Sequence, residues 1–129
     1  MTEKTPAQKL FIKEGFSIYS LHAPQDLAGL LGPLPAGTRL IDQPAEPVDA
    51  ILLFADSRAV LEADLPRLKD WLKPDGLLWV AYHKGTSKVK TDINRDSIHR
   101  YAPSVGLDTV FQIAIDADWS ALRLKRVGG

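Results

Sequence analysis

The sequence predicts an α/β fold: a mostly parallel sheet with helices on both faces, completed by a C-terminal antiparallel hairpin. Three observations carry this. DAILLFA (49–55) and LLWVAY (77–82) are almost unbroken apolar runs. A strand with one wet face alternates apolar and polar residues, whereas a strand covered on both faces reads as a continuous run. Between these runs, SRAVLEADLPRLKDWLK (57–73) repeats Leu61, Leu65, Leu68 and Leu72 at helical spacing. Strands alternating with helices are what a parallel sheet requires. Finally, TVFQIAID (109–116) and WSALRLKR (119–126) are separated only by Ala117-Asp118, a link so short that the two strands must be antiparallel.

The remaining elements follow in order. Thr5-Pro6 reads as N-cap and first helical residue, because proline lacks an N–H that would be unsatisfied there anyway. That helix is expected to run through Phe11 and stop near Gly15. FSIYSLHAP (16–24) reads as a strand ended by Pro24, Gln25–Leu31 as a short helix closed by Gly32-Pro33, and TRLID (38–42) as a short strand. Only Gln43–Val48 joins TRLID to DAILLFA, and six residues reach about 20 Å at most. The 38–42 strand is therefore very short or antiparallel. Pro66 predicts a kink or break in the central helix. Lys73-Pro74-Asp75-Gly76 reads as a turn, and a further helix is expected from a cap at Asp92 to about Ala102. Arg123, Lys125 and Arg126 on the last strand read as protection of a sheet edge.

Composition narrows the function classes. A chain of 129 residues fits one domain. Sixteen basic and sixteen acidic residues cancel, which gives no general attraction to nucleic acid or to an anionic membrane. There is no cysteine, hence no disulfide frame and no thiolate metal site. No stretch is long and apolar enough to span a bilayer, so the expected location is the cytoplasm.

The order of motifs resembles a known family. DAILLFADS, a helix, LKPDGLLWVAYHK, a helix and a terminal hairpin are similar to the second half of class I S-adenosylmethionine-dependent methyltransferases, which have a Rossmann-like fold. In that family a turn of the form L-K-P-G-G enters a buried strand, and Leu72-Lys73-Pro74-Asp75-Gly76 matches it with Asp75 in place of one glycine. More closely, KLFIKEG, SLHAP, LLFADSRAVLE, VKTDINRD and WSALR resemble a small bacterial domain-of-unknown-function family, over nearly the whole chain. The resemblance implies a degenerate methyltransferase-like scaffold. It implies that Asp42, ending the second strand, stands where an acidic residue holds the ribose of the cofactor. The family's glycine-rich first loop, where backbone approaches the cofactor, is replaced by Leu21-His22-Ala23-Pro24-Gln25-Asp26. S-adenosylmethionine is thus the implied cofactor, without the loop that usually cradles it.

Ligands of open parallel sheets bind beyond the carboxyl ends of the strands, where strand order reverses. That placement puts His22, Asp42, Asp56, Ser57, Arg58, His83 and Lys84 on one rim. The loop 85–91 overhangs it and brings Lys88 and Lys90, followed by Asp92 and Arg95 at the start of the next helix. Lysines beside a helix start suit a phosphate or carboxylate. The same lysines read equally well as solvated surface, with Arg95 paired to Asp92 or Asp96. Ser57 fits as a helix N-cap, since no G-x-S-x-G pattern surrounds it. His22 and His83 read as hydrogen-bonded structural histidines before general bases, and no spacing specifies a metal site. The favoured expectation is a non-catalytic small-anion or nucleotide-binding regulatory domain. The alternatives are an S-adenosylmethionine-dependent methyltransferase and a homodimeric interaction module. No nucleic-acid partner is expected.

Overall fold

The computed structural model describes residues 5–84, 91–116 and 118–127. Helix α1 (Pro6–Lys9) opens at Thr5, whose hydroxyl accepts from the Gln8 N–H at 3.2 Å while the Gln8 side chain accepts from the Thr5 N–H at 2.9 Å. This reciprocal cap satisfies donors that a helix start otherwise leaves open. The helix ends at Lys9, sooner than expected. Strand β1 (Ser17–Leu21) follows, then α2 (Leu27–Leu31), β2 (Arg39–Ile41), β3 (Val48–Phe54) and α3 (Arg58–Leu68). The chain continues with β4 (Leu72–His83), α4 (Arg95–Tyr101) and the hairpin β5 (Leu107–Ala114) and β6 (Trp119–Arg126).

The strands lie in the order β2-β1-β3-β4-β6-β5. The ladders from β2 to β4 are parallel, and β6 runs antiparallel to both β4 and β5. The 38–42 segment is both short and parallel: β2 has three residues and pairs only with Ser17–Tyr19. The link to β3 therefore retraces about 10 Å of strand, well within reach of its residues. The hairpin corrects one expectation. Its last strand, β6, is interior and β5 forms the edge. Arg126 is a backbone clamp, donating to the carbonyls of Leu72 at 2.8 Å and Lys73 at 3.4 Å.

Two layers of core explain the continuous apolar runs. On one face Ile51, Leu53, Leu78 and Val80 pack with Leu61, Leu65 and Leu68 of α3 and Ile98 of α4. On the other, Ala50, Leu52, Phe54 and Trp79 pack with Ala7 and Leu10 of the α1 segment and Leu27 and Leu31 of α2. Each fully buried large apolar side chain contributes about 1.5–3 kcal/mol. Helix α3 passes through Pro66 but stops at Leu68, and a turn of 3₁₀ helix over Lys69–Trp71 leads into β4.

Residues 73–76 are a bulge inside β4 where a free turn was expected. The ladder steps from Val48↔Leu72 to Ala50↔Leu77. Gly76 is required by close approach, because a Cβ there would lie 2.6 Å from Leu72 Cδ1 and 3.1 Å from the Asp49 carbonyl. The bulge lets Lys73 reach Asp49 at 2.9 Å, while the other Asp49 oxygen accepts from the Ser17 N–H at 2.9 Å. Burial pushes the Asp49 carboxyl up, but the Ser17 N–H and the Lys73 ammonium outweigh it and hold the group below the usual carboxylate range. This contact ties β1, β3 and β4 at their amino-terminal end.

Leu65→Ala would leave a cavity at a fully buried position between α3 and the sheet. Urea unfolding of this variant is expected to show a loss of about 2–5 kcal/mol. A loss within error of zero would mean that α3 is not a stabilising layer.

Candidate functional site

Connections diverge between β1, which leads to β2, and β3, which leads to β4, so the reversal of strand order lies between β1 and β3. Residues at the carboxyl ends of these strands form the rim. His22 follows β1 with a left-handed φ of 55°. Its Nε2–H donates to Asp64 Oδ2 on α3 at 2.7 Å, and because a carboxylate only accepts, Nε2 carries the proton. Arg67 donates to the other Asp64 oxygen at 2.6 Å. Burial raises the Asp64 carboxyl, yet the hydrogen bonds from Arg67 and His22 prevail and hold it below its ordinary value. His22 is thus a hydrogen-bonded histidine turned toward α3.

After β3, Ser57 caps α3 by accepting from the Val60 N–H at 3.2 Å, as its sequence context predicts. Asp92 does not cap the helix that follows it. Its Oδ1 accepts from the Arg58 N–H at 2.6 Å and so serves the start of α3, beside the Thr91 hydroxyl, which donates to the Asp56 carbonyl at 2.7 Å. Helix α4 begins later, at Arg95, because Asn94 and Ser97 form their own reciprocal cap at 2.9 and 2.8 Å. The Asn94 side chain therefore already takes the Ser97 N–H, one of the donors of the helix start beside which an anion was expected.

His83 ends β4 and is 9% exposed. It stacks on Trp119 at 4.0 Å, and Trp119 meets Phe54 edge-on at 5.1 Å, on the α1–α2 face of the sheet. Its Nδ1 is buried without a hydrogen-bond partner among the described residues. His22, His83 and Asp56 are not assembled into a metal-binding group.

On the opposite face the structure does assemble a basic groove. Lys84 and Arg95 line a depression of about 450 Å³ together with Tyr82, Asn94, Gln112 and Ser120. Arg95 and Gln112 also line an adjoining hollow of about 250 Å³ that extends to His99 and Thr109. Among the described residues Arg95 pairs with Asp96 at 3.9 Å, the outer limit of an ion pair, and the Arg95 side chain is 65% exposed. Burial lifts the Tyr82 phenol above its ordinary value against the opposing pull of Arg95, so it is a neutral donor at physiological pH. Lys88 and Lys90 lie outside the described residues.

Sequence reasoning missed Tyr82, Gln112 and Ser120 as groove residues. Tyr82 sits in an apolar run, and Gln112 faces the groove only because a bulge between Thr109 and Phe111 resets the alternation of β5. No local signal in the sequence marks that bulge.

Charge divides the rim. Asp26, Asp42 and Asp56 are exposed after β1, β2 and β3. Among the described residues no cation pairs with the side chain of Asp42 or Asp56. Lys84 and Arg95 stand beyond β4, with Asp96 3.9 Å from Arg95 and the exposed Asp116 and Asp118 at the neighbouring hairpin turn.

No family model and no curated protein compared with the chain matches it. Solved structures do. A ribosomal protein L11 methylase from Lactobacillus delbrueckii subsp. bulgaricus superposes with a TM-score of 0.62 at 11% identity, over 94% of this chain and 74% of that one. A TehB-like SAM-dependent methyltransferase from Corynebacterium glutamicum gives 0.59 at 12% identity, over 96% and 89%. A SAM-dependent methyltransferase from Thiobacillus denitrificans in complex with S-adenosyl-L-homocysteine gives 0.58 at 10% identity, over 93% and 88%. At such identities the likeness establishes the architecture: this is a methyltransferase-like Rossmann fold.

The rim fits an S-adenosyl compound in part. Unpaired carboxylates suit ribose hydroxyls and a cationic sulfonium, and His22 takes the left-handed conformation that glycine commonly supplies in a tight turn. Ala23, Pro24 and Gln25 nevertheless carry side chains along the turn where a glycine cradle would be bare.

The Asp64 contacts give a pH prediction. A carboxyl held low stabilises the fold fully above its unfolded pKa, about 3.9, and loses this contribution as pH falls through its folded value. Asp64→Asn is expected to lower Tm at neutral pH and to flatten the decline of Tm below about pH 4. An acid limb as steep as that of the wild type would rule out this pairing as its source.

Proposed function

We propose that this chain is an S-adenosylmethionine-dependent methyltransferase of a small anionic acceptor. The cofactor lies over the acidic ends of β1–β3, and the acceptor in the basic groove beside α4. The observation that supports this best is the division of charge along one rim. A cationic sulfonium and an anionic acceptor have opposite electrostatic requirements, and fixed charges of opposite sign raise the local concentration of each. Asp42 is the partner for the ribose hydroxyls, and Asp56 faces the same section. When bound, S-adenosylmethionine supplies an electrophilic methyl group. The chain's own contribution is orientation: Lys84 and Arg95 neutralise the acceptor, while Tyr82, Gln112 and Ser120 offer hydrogen bonds that fix its pose. Lys88 and Lys90 belong to the same basic section by sequence.

A second reading has its own support. The glycine-free turn after β1, with His22 tied to Asp64, favours a domain that binds a small anion or nucleotide in the groove and transfers no methyl group.

Titration calorimetry with S-adenosylhomocysteine, and separately with pyrophosphate, distinguishes the two. The first reading expects saturable binding of S-adenosylhomocysteine, weakened at least tenfold (about 1.4 kcal/mol) by Asp42→Asn. It also expects pyrophosphate binding that Arg95→Ala weakens to a similar degree. Pyrophosphate binding without any S-adenosylhomocysteine binding would replace the first reading by the second. Absence of both would overturn the groove assignment as well.

A further inference from the structure

Three irregularities meet at one place, at the amino-terminal end of the sheet and away from the rim. The first is Phe11, which has φ of 61°. A bulky residue is a genuine outlier in the left-handed region. The conformation is enforced from both sides: the Trp79 indole N–H donates to the Leu10 carbonyl at 3.2 Å, and the Ile12 N–H returns to the Ala7 carbonyl at 3.1 Å. The second is the β5 bulge between Thr109 and Phe111, which places Phe111 opposite Arg123 on the α1–α2 face. The third is Arg123 itself. Its Nε is buried with no hydrogen-bond partner among the described residues, and its guanidinium carbon lies 5.7 Å from the centre of the Phe111 ring.

These features surround a cavity of about 440 Å³ lined by Phe11, Lys13, Phe16, Asp75, Leu77 and Arg123. Phe11 is 40% exposed and meets Phe111 edge-on at 5.6 Å, so its ring forms one wall. Strained backbone, bulges and unsatisfied buried donors each concentrate at functional positions. Here an apolar aromatic wall stands beside two cations and one carboxylate.

We propose that this cavity is a second ligand site, separate from the rim, for a small carboxylate with a flat apolar body. The carboxylate faces Arg123 and Lys13, and the apolar body lies against Phe11, Phe16 and Leu77. An arginine fork matches a carboxylate in geometry as well as charge.

Proton–nitrogen correlation NMR of the full chain, titrated with benzoate and phenylacetate, tests this. The neutral amide phenylacetamide serves as the control for charge. Saturable shifts of the Trp79 indole N–H and the Phe11 amide are expected with at least one acid, and binding at least tenfold weaker with the amide. Arg123→Gln is expected to weaken the acid at least tenfold while the rest of the spectrum stays dispersed. Phe11→Gly is expected to weaken it too. Glycine adopts this backbone conformation freely, so this variant stays folded and decides the matter if Arg123→Gln does not. No saturable shift at Trp79, equal binding of acid and amide, or wild-type affinity in the folded variants would overturn the site.

Discussion

Covering β3 and β4 on both faces is the constraint from which the rest of the structure follows. Phe54 and Trp79 point to one layer and Leu53, Leu78 and Val80 to the other, all essentially removed from water. Such strands cannot end a sheet or face solvent, so helices must be laid on each side and every connection must emerge at one of the two ends. Polar chemistry is thereby concentrated at the rims, because the faces have no room for it. The amino-terminal end is tied by Ser17, Asp49 and Lys73. The carboxyl end carries exposed aspartates on one side and Lys84 with Arg95 on the other.

Much of this was legible in the residues. The apolar runs at 49–55 and 77–82, the leucine spacing of α3 as far as Leu68 and the antiparallel hairpin each obey a local rule and appear as read, whereas Leu72 opens β4 and the hairpin strands end at Ala114 and resume at Trp119. What stayed hidden depends on register between paired segments. The bulge at 73–76 exists because β4 must realign with β3 after Leu72, and the bulge in β5 because it must realign with β6. The first pairing spans α3, and the second, between consecutive strands, depends on how the two strands seat against each other rather than on any one residue type. The choice of Asp92 to serve α3 is likewise a contact across 34 positions, which a reading of its immediate neighbours assigns to the wrong helix.

The candidate site shows the same limit. Lys84 and Arg95 were visible as cations near a strand end, and the structure does bring them together. Tyr82, Gln112 and Ser120 were not, since three different strands deliver them and their polar character is ordinary in each. His22 and His83 stood out as titratable groups on a rim, yet one is committed to Asp64 and the other lies under Trp119. A histidine's visibility in a sequence reflects its chemistry, whereas its role depends on which neighbours the fold provides.

The pair of contacts from Thr91 to the Asp56 carbonyl and from Asp92 to the Arg58 N–H has a wider implication. These two residues stand just before Ile93 and the cap of α4 at Asn94, so the segment entering the basic groove is pinned to the junction that ends β3 and begins α3. A ligand that shifts one of these places must work with or against the same two hydrogen bonds at the other. Under the proposed function, ligands on the two sides of the rim would be energetically linked through these bonds. By reciprocity, whatever factor one ligand imposes on the affinity of the other is returned unchanged.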